Sequence, residues 1–420
     1  MKMITFLGAT RAYETTYVMP DGREHTAPFC GVALSRFYPD SDILVFVTQD
    51  ARKRHYDRFE ALTEDYAASV TPVNISDGRN EEELWRIFRA VVDHVANGEQ
   101  VLFDITHGFR SLPFLSFLAA AYLRVVKEIE LKGVIYGNFE ARDQSVVPNR
   151  APVIDMTRFV GLLDWMIAAD RFIRFGDAHD LAERLRAAKP DYRQMKADPA
   201  IREQGNRLNQ AARALDDVSL ALRLLRPQEA MAASEQLQTR LGDGVEGIHA
   251  YARPFRPLAR QVTEAYSPLA MSKDAQAAEP VAALARERRM VQWYLERRQY
   301  VQAMAVAREW IVSWAMTHLG FATFSDTKTR QKVEYAFGKA NKQRQTRHGE
   351  FDDYAIAQDK NLRDIPEIAV GLSLYERIGG IRNDLLHAGK RPSPLSARKM
   401  EQKITSLCNE LQSLPLPLEP

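Results

Sequence analysis

An α/β domain with a mainly parallel sheet, followed by an all-α domain, is the fold class this sequence predicts. Three observations lead there. Short apolar runs alternate with helix-period segments over the first part of the chain, the pattern of successive βαβ units. Strand signals then stop after residue 155, and helices separated by polar, Pro- or Gly-containing breaks fill the rest. Finally, 420 residues exceed one ordinary domain, and 45% hydrophobic residues suffice for sizeable cores. The expected limits are residues 1–150 for the α/β domain, 151–205 for a helical connector and 206–420 for the helical domain.

The elements follow in order. Met3 to Leu7 is a short apolar strand ended by Gly8-Ala9-Thr10. Tyr17-Val18-Met19 and Arg23 to Thr26 flank Pro20-Asp21-Gly22, a hairpin with turn residues in the turn. Ile43 to Thr48 and Val73 to Ile75 read as buried strands. In Asn80 to Val95, Leu84, Ile87, Phe88, Val91, Val92 and Val95 make one apolar helix face, capped by Asn80 with Glu83 three residues on. Val101-Leu102-Phe103 is the next strand. A helix rich in Leu, Phe and Ala follows from Leu112, and Val134-Ile135-Tyr136 closes the series. In the second half, Lys189-Pro190-Asp191 and Ser272 to Pro280 read as loops. Tyr300, Met304, Ala307, Ile311, Trp314 and His318 give a strong amphipathic helix. The Pro-rich tail from Leu414 to Pro420 is expected to fray.

Charge and cysteine content narrow the function classes. With 57 basic and 55 acidic residues the net charge is +2, unlike a protein that coats DNA constitutively, although a local basic patch remains compatible with it. Two distant cysteines, Cys30 and Cys408, exclude a disulfide framework and a cysteine zinc site and fit a reducing compartment. Apolar stretches are too short for a membrane span, and no signal peptide is expected, so the cytoplasm is the expected location.

The first constellation is Asp104-Ile105-Thr106-His107-Gly108-Phe109-Arg110-Ser111, between a predicted strand and a predicted helix. In open α/β sheets, ligands bind at the carboxyl ends of strands near a switch in strand order. A loop there offers backbone N–H groups, and the helix start adds partial positive charge. Thr106 and His107 supply donors, Gly108 permits close backbone approach, and Arg110 supplies a charge. Gly8 and Thr10 belong to the same rim. The bland alternative is an ordinary turn with a solvated histidine. Neither GxGxxG nor GxxxxGK[ST] is present, against a nicotinamide enzyme and a P-loop NTPase.

Asp104-Ile105-Thr106-His107-Gly108 resembles the DxTHG signature of CRISPR-associated CARF proteins, and Phe6-Leu7-Gly8-Ala9-Thr10 is similar to that family's first strand and loop. The resemblance covers residues 1–150. It implies a Rossmann-like sensor of cyclic oligoadenylates that dimerises with the ligand on the two-fold axis. Gly8, Thr10, Thr106, His107, Gly108, Arg110 and, as a weaker candidate, Asn138 would then contact the ligand, with Asp104 bracing the loop. Four adenylates are the commoner ring in that family, six the alternative.

The second constellation is Gly380-Ile381-Arg382-Asn383-Asp384-Leu385-Leu386-His387-Ala388-Gly389-Lys390. Five residues on a helix rotate through about 500°, roughly 140° off one face. At a helix end before Gly389, however, the histidine can swing back toward Arg382. Metal-free RNA cleavage needs a base for the 2′-OH, an acid for the 5′-oxygen and a cation for the phosphorane. Histidine and arginine suit these roles. The alternative is a helix end where His387 and Lys390 complement the dipole.

Arg382 to His387 resembles the R-x4-6-H motif of HEPN ribonucleases, and Gln299 to Trp314 is similar to that domain's first long helix in CARF–HEPN proteins. The resemblance implies an all-α HEPN domain whose two copies bring both Arg382 and both His387 to one composite cleft. The protein would be a homodimer or higher even oligomer, with Asn383 positioning the pair or the scissile phosphate, no metal or other cofactor, single-stranded RNA as substrate and 2′,3′-cyclic phosphate products. Lys328, Arg330, Lys332, Lys339, Lys342, Arg344 and Arg347 either contact RNA or form a solvated face. Tyr335 and Phe337 stack on bases or belong to the core, and Trp293, Trp310 and Trp314 read as core. Three rivals stay open: a ligand-sensing transcription regulator, a ring nuclease degrading the cyclic oligoadenylate, and a helical interaction module.

Overall fold

A computed structural model describes residues 1–420 except 109, 322–325, 358–359, 391–392 and 418–420. The chain divides into two compact units, Met1–Asp164 and Trp165–Pro420. Residues 151–205 are shared between them.

The first unit is an eight-stranded sheet of β1 (Lys2–Leu7), β2 (Thr15–Val18), β3 (Glu24–Ala27), β4 (Ser41–Val47), β5 (Ala67–Asn74), β6 (Gln100–Asp104), β7 (Glu130–Gly137) and β8 (Asn149–Asp155). Their spatial order is β3-β2-β8-β7-β6-β1-β4-β5. The block β7-β6-β1-β4-β5 is parallel throughout. Strand β8 runs antiparallel to β7 and parallel to β2, and β2–β3 is the antiparallel hairpin expected from the turn residues. The expectation that Val134–Tyr136 closes the series is therefore corrected by one further strand, β8.

Alternation along the strands sorts side chains onto two covered faces. Met3, Ile43, Val45 and Leu102 pack with helix α1 (Cys30–Phe37) and with Phe59 of α2 (Asp57–Thr63). Ile4, Phe6, Phe46 and Phe103 pack with α3 (Glu81–Asp93) and α4 (Ser111–Val126). Asn80 caps α3, its Oδ1 accepting the Glu83 N–H at 3.0 Å. The outer strands differ from the buried middle: β5 carries Pro72, and β3 has four residues with Glu24 and Thr26 exposed. Because β1 has β4 on one side and β6 on the other, the strand order switches at β1, and a crevice is expected above its carboxyl end.

Helix α5 (Thr157–Phe175) contains the boundary between the units. In the second unit, α7 (Pro199–Arg223) packs on α6 (His179–Ala187) and α8 (Pro227–Asp243). Helix α10 (Tyr300–His318) is central. It contacts α9 (Pro280–Glu296), α11 (Thr327–Thr346), α12 (Ile368–Leu386) and α13 (Ala397–Gln412). Its Trp310 and Trp314 are fully buried, and burial requires partners for their N–H groups. Trp310 Nε1 donates to the Leu284 carbonyl at 2.8 Å and Trp314 Nε1 to the Pro415 carbonyl at 2.7 Å. Against the Trp314 ring lies Gly371 of α12, where a Cβ would stand 2.5 Å from Cζ3 and 2.9 Å from Cη2.

Three local expectations change. Ser272 to Pro280 is not a plain loop: Lys273–Ala278 is helical, capped by the Ser272 hydroxyl. The tail is anchored rather than frayed at its start, with Leu414 buried and the Pro415 carbonyl engaged by Trp314. Of its remainder, residues 418–420 lie outside the described residues. Within the basic helix α11, Phe337 is core but Tyr335 is exposed, with Lys339 over its ring. No helix among the described residues is long and apolar enough to cross a membrane.

Candidate functional site

At the end of β6 the Asp104 carboxylate is fully buried, which is tolerable only with hydrogen-bond donors around it. Oδ2 accepts from Thr5 Oγ1 at 2.7 Å and Oδ1 from the Thr106 N–H at 3.0 Å. Thr106 Oγ1 in turn accepts the Gly137 N–H at 2.8 Å. One chain of hydrogen bonds thus ties together β1, β6 and β7.

His107 is turned inward. Its Nε2 accepts the Cys30 N–H at 3.1 Å, satisfying the first turn of α1, whose N-cap residue Phe29 offers no side-chain bond. Accepting there requires a lone pair on Nε2, so a neutral ring carries its proton on Nδ1. Burial holds the His107 pKa below the ordinary imidazole value; Asp104 opposes the shift and His55 adds to it. Gly108 has φ +125°, and a Cβ there would come 2.6 Å from Leu112 Cδ1. The two glycine loops meet, since a Cβ on Gly8 would lie 3.5 Å from Gly108 N.

Above these loops is a cavity of about 340 Å³ at the carboxyl ends of β1, β6 and β7. Gly8, Thr10, Thr106 and His107 line it. The loop after β1 is held from behind: Arg54 donates to the Ala9 carbonyl at 3.2 Å, and His55 Nε2 lies 2.8 Å from the Thr10 carbonyl, which can only accept. Gly108, Arg110 and Asn138 stand outside the lining. Gly108 shapes the turn, Arg110 is exposed just before α4, and Asn138 Oδ1 accepts the Ala141 N–H at 3.2 Å. Phe109 lies outside the described residues.

Sequence reasoning missed the aromatic part of the rim. The rings of Tyr13 and Phe139 stack at 5.9 Å, with Arg11 over Tyr13 at 5.4 Å and Arg142 over Phe139 at 4.0 Å. Tyr13, Phe139 and Arg11 all line the cavity. An exposed Tyr13 ring and a half-buried Phe139 ring with guanidinium groups beside them suit flat bases joined by phosphates. An Arg-x-Tyr triplet following the first strand was the available signal.

In the second unit, Arg382 lies near the end of α12 and is half-buried, whereas Asn383 is exposed. His387 caps the helix, its N–H donating to the Asn383 carbonyl at 3.0 Å, and its side chain is exposed. Gly389, at φ +68°, ends the helix by donating to the Asp384 carbonyl at 3.0 Å. Arg382 Nε is buried without a hydrogen-bond partner. Elsewhere, Glu287 of α9 lines a cavity of about 360 Å³ together with Glu309 and Arg330, and burial pushes its carboxyl up to about 7. Arg330 is bound to Glu309 at 2.7 Å and to Ser313 Oγ at 3.2 Å. Among the described residues no cluster of three or more His, Cys, Asp or Glu could hold a metal ion.

Comparison with known proteins places these observations in context. Residues 2–140 match the family model of the CARF domain of the CRISPR system endoribonuclease Csx1. Residues 161–270 match the model of the second domain of CRISPR-associated protein MJ1674. CRISPR-associated protein MJ1674 of Methanocaldococcus jannaschii is 26% identical over 139 residues, a match spanning 30% of this chain and only 22% of that protein. Among solved structures, Enterococcus italicus Csm6 bound to cyclic hexa-2'-fluoro-hexa-dAMP aligns over 98% of this chain and 92% of that one, with 12% identity and a TM-score of 0.38.

Proposed function

We propose that this chain, whose residues 2–140 match the CARF domain of a CRISPR system endoribonuclease, is a cyclic-oligoadenylate-activated endoribonuclease. The observation that carries the reading is the cavity over the Asp104–Gly108 loop, in the segment that matches the CARF domain of an endoribonuclease. The ligand's phosphates meet the backbone and hydroxyls of Gly8, Thr10 and Thr106, and its bases meet Tyr13 and Phe139. The ring is cyclic tetra-adenylate in the first instance, hexa-adenylate otherwise. His107 orients the loop, because its Nε2 lone pair is engaged by Cys30. That engagement weighs against His107 as a base for ligand cleavage and favours sensing over ring-nuclease activity.

In the helical domain, of HEPN type on this reading, Arg382 grips the scissile phosphate and steadies charge on the phosphorane. His387 transfers protons, and Asn383 positions the phosphate. The 2′-oxygen attacks phosphorus as its proton passes to the base. The bond to the 5′-oxygen breaks as that oxygen takes a proton from the acid, leaving a 2′,3′-cyclic phosphate and a 5′-OH. Single-stranded RNA fits because an unstacked backbone reaches the in-line geometry. Two copies of the chain assemble one cleft, no metal is used, and ligand binding shifts the balance between inactive and active arrangements. The setting is type III CRISPR defence in the cytoplasm.

The test is cleavage of a fluorescent single-stranded RNA in EDTA, with and without cyclic tetra- or hexa-adenylate, for wild type and His387→Ala. Cleavage that requires the cyclic ligand and vanishes in the variant is expected. Cleavage that is unchanged in His387→Ala, or absent with every ligand, overturns the reading.

A further inference from the structure

The half-buried Arg308 of α10 has no part in the function described above, yet it lies beside the residue that does. Its guanidinium carbon sits 3.1 Å from the centroid of the Tyr375 ring. Its Nε is 3.5 Å from where a Cβ on Gly379 would stand, so the bare backbone of Gly379 leaves it room. Tyr375, Gly379 and Arg382 are spaced four and three residues apart, which places them on one face of α12. Arg308 therefore reaches from α10 across to the face that carries Arg382.

Both guanidinium groups have an unmet hydrogen-bonding need. Arg308 Nη1 and Arg382 Nε are buried with no partner. The acidic neighbours of Arg308, Glu309 and Glu334, both lie against Arg330, at 2.7 Å and 4.0 Å. Burial lowers the Arg308 pKa, and the charge of Arg382 lowers it further, so each cation stands in the other's field. Two planar cations in each other's field, each with a buried N–H that lacks an acceptor, match an anion with several oxygens.

We propose that Arg308 and Arg382 form a two-guanidinium clamp for one phosphodiester of the RNA, with Tyr375 holding the plane of Arg308. The clamp rests on the ribonuclease reading for the identity of the phosphate's carrier. Arg308 positions that phosphate, and Arg382 remains the group that meets the developing charge.

The experiment uses the full chain and a fluorescent 2′-O-methyl single-stranded RNA, which cannot be cleaved. Binding is read by anisotropy over a salt series for wild type, Arg308→Ala, Arg308→Lys and Arg382→Ala. Arg260→Ala, which removes an exposed cation elsewhere, is the control. Arg308→Ala is expected to weaken binding about 10- to 100-fold. It should also reduce the slope of log affinity against log salt by about 0.7. Arg308→Lys keeps the slope but binds more weakly than wild type, because it lacks the planar fork. Should Arg308→Ala fail to fold, Arg308→Lys carries the test, and wild-type affinity in it overturns the clamp. Cleavage assays separate the two claims. If His387→Ala abolishes activity while Arg308→Ala keeps wild-type affinity and slope, the clamp is wrong and the ribonuclease stands. If wild type cleaves nothing, the ribonuclease reading fails, and the binding data still decide the clamp by the same criterion.

Discussion

Replacing Gly371 with Ala asks whether the contact between α10 and α12 is as close as it looks. Helix propensity alone favours Ala over Gly by about 1 kcal/mol in a helix interior. Here, however, the added Cβ would lie 2.5 and 2.9 Å from two carbons of Trp314, where about 3.5–4.0 Å is comfortable. The neighbour cannot swing aside, since Trp314 is fully buried and its N–H is bonded to Pro415. Overpacking of this kind costs about 1–3 kcal/mol, and shifting the indole endangers a hydrogen bond worth about 1 kcal/mol more. The net expectation is a loss of about 1–3 kcal/mol. Gly380 of the same helix has nothing within 4 Å of its added Cβ, so Gly380→Ala should gain up to about 1 kcal/mol. Urea denaturation followed by tryptophan emission reports on the helical unit, which holds Trp165, Trp293, Trp310 and Trp314. A Gly371→Ala protein as stable as wild type, or two variants shifted in the same direction, would refute the packing argument.

Two further outcomes follow from buried carboxyls. Glu287 binds a proton more tightly folded than unfolded, so the stability its neutral form permits is present below about pH 4.5 and lost as pH rises through about 7. Glu287→Gln should therefore stabilise the helical unit by about 2–3 kcal/mol at pH 8 and by much less at pH 5; denaturation at both pH values checks this, and an equal gain at both contradicts it. Asp104→Asn sets an amide donor or a single acceptor against two donors, Thr5 Oγ1 and the Thr106 N–H. A loss of about 1–3 kcal/mol, with weaker calorimetric binding of cyclic oligoadenylate, is expected, and wild-type melting together with wild-type binding would contradict the bracing role.

Much of the fold is written in local pattern. The helix Tyr300–His318 follows from its apolar spacing, α3 from its stripe and the Asn80 cap, and the hairpin from Pro20-Asp21-Gly22. Strand β8 escapes such reading because Ala151 and Val153 are the only members of it that are buried, and its partners lie at residues 15–18 and 135–137. The helix Lys273–Ala278 is hidden because Ser272 and Pro280 read as breakers, whereas one caps it and the other starts the next helix. In the first site, the loop from Asp104 to Gly108 was legible as a strand-to-helix connection. The stacking of Tyr13 on Phe139 was not, since strand order alone brings residues so far apart in sequence together. Arg308 and Arg382 likewise come into each other's field only through the packing of two helices.

The outer strands of the sheet limit how this molecule can combine with others. Pro72 interrupts the donor row that β5 would present to a newcomer, and β3 is short, with Glu24 exposed on it. A second chain therefore finds no long ladder to extend, which disfavours merging of sheets across copies. What such edges leave open to a partner is side chains on helices and the ends of strands, where the cavity over the Asp104–Gly108 loop lies. An assembly built that way can respond to what occupies its cavities, as a continuous sheet would not.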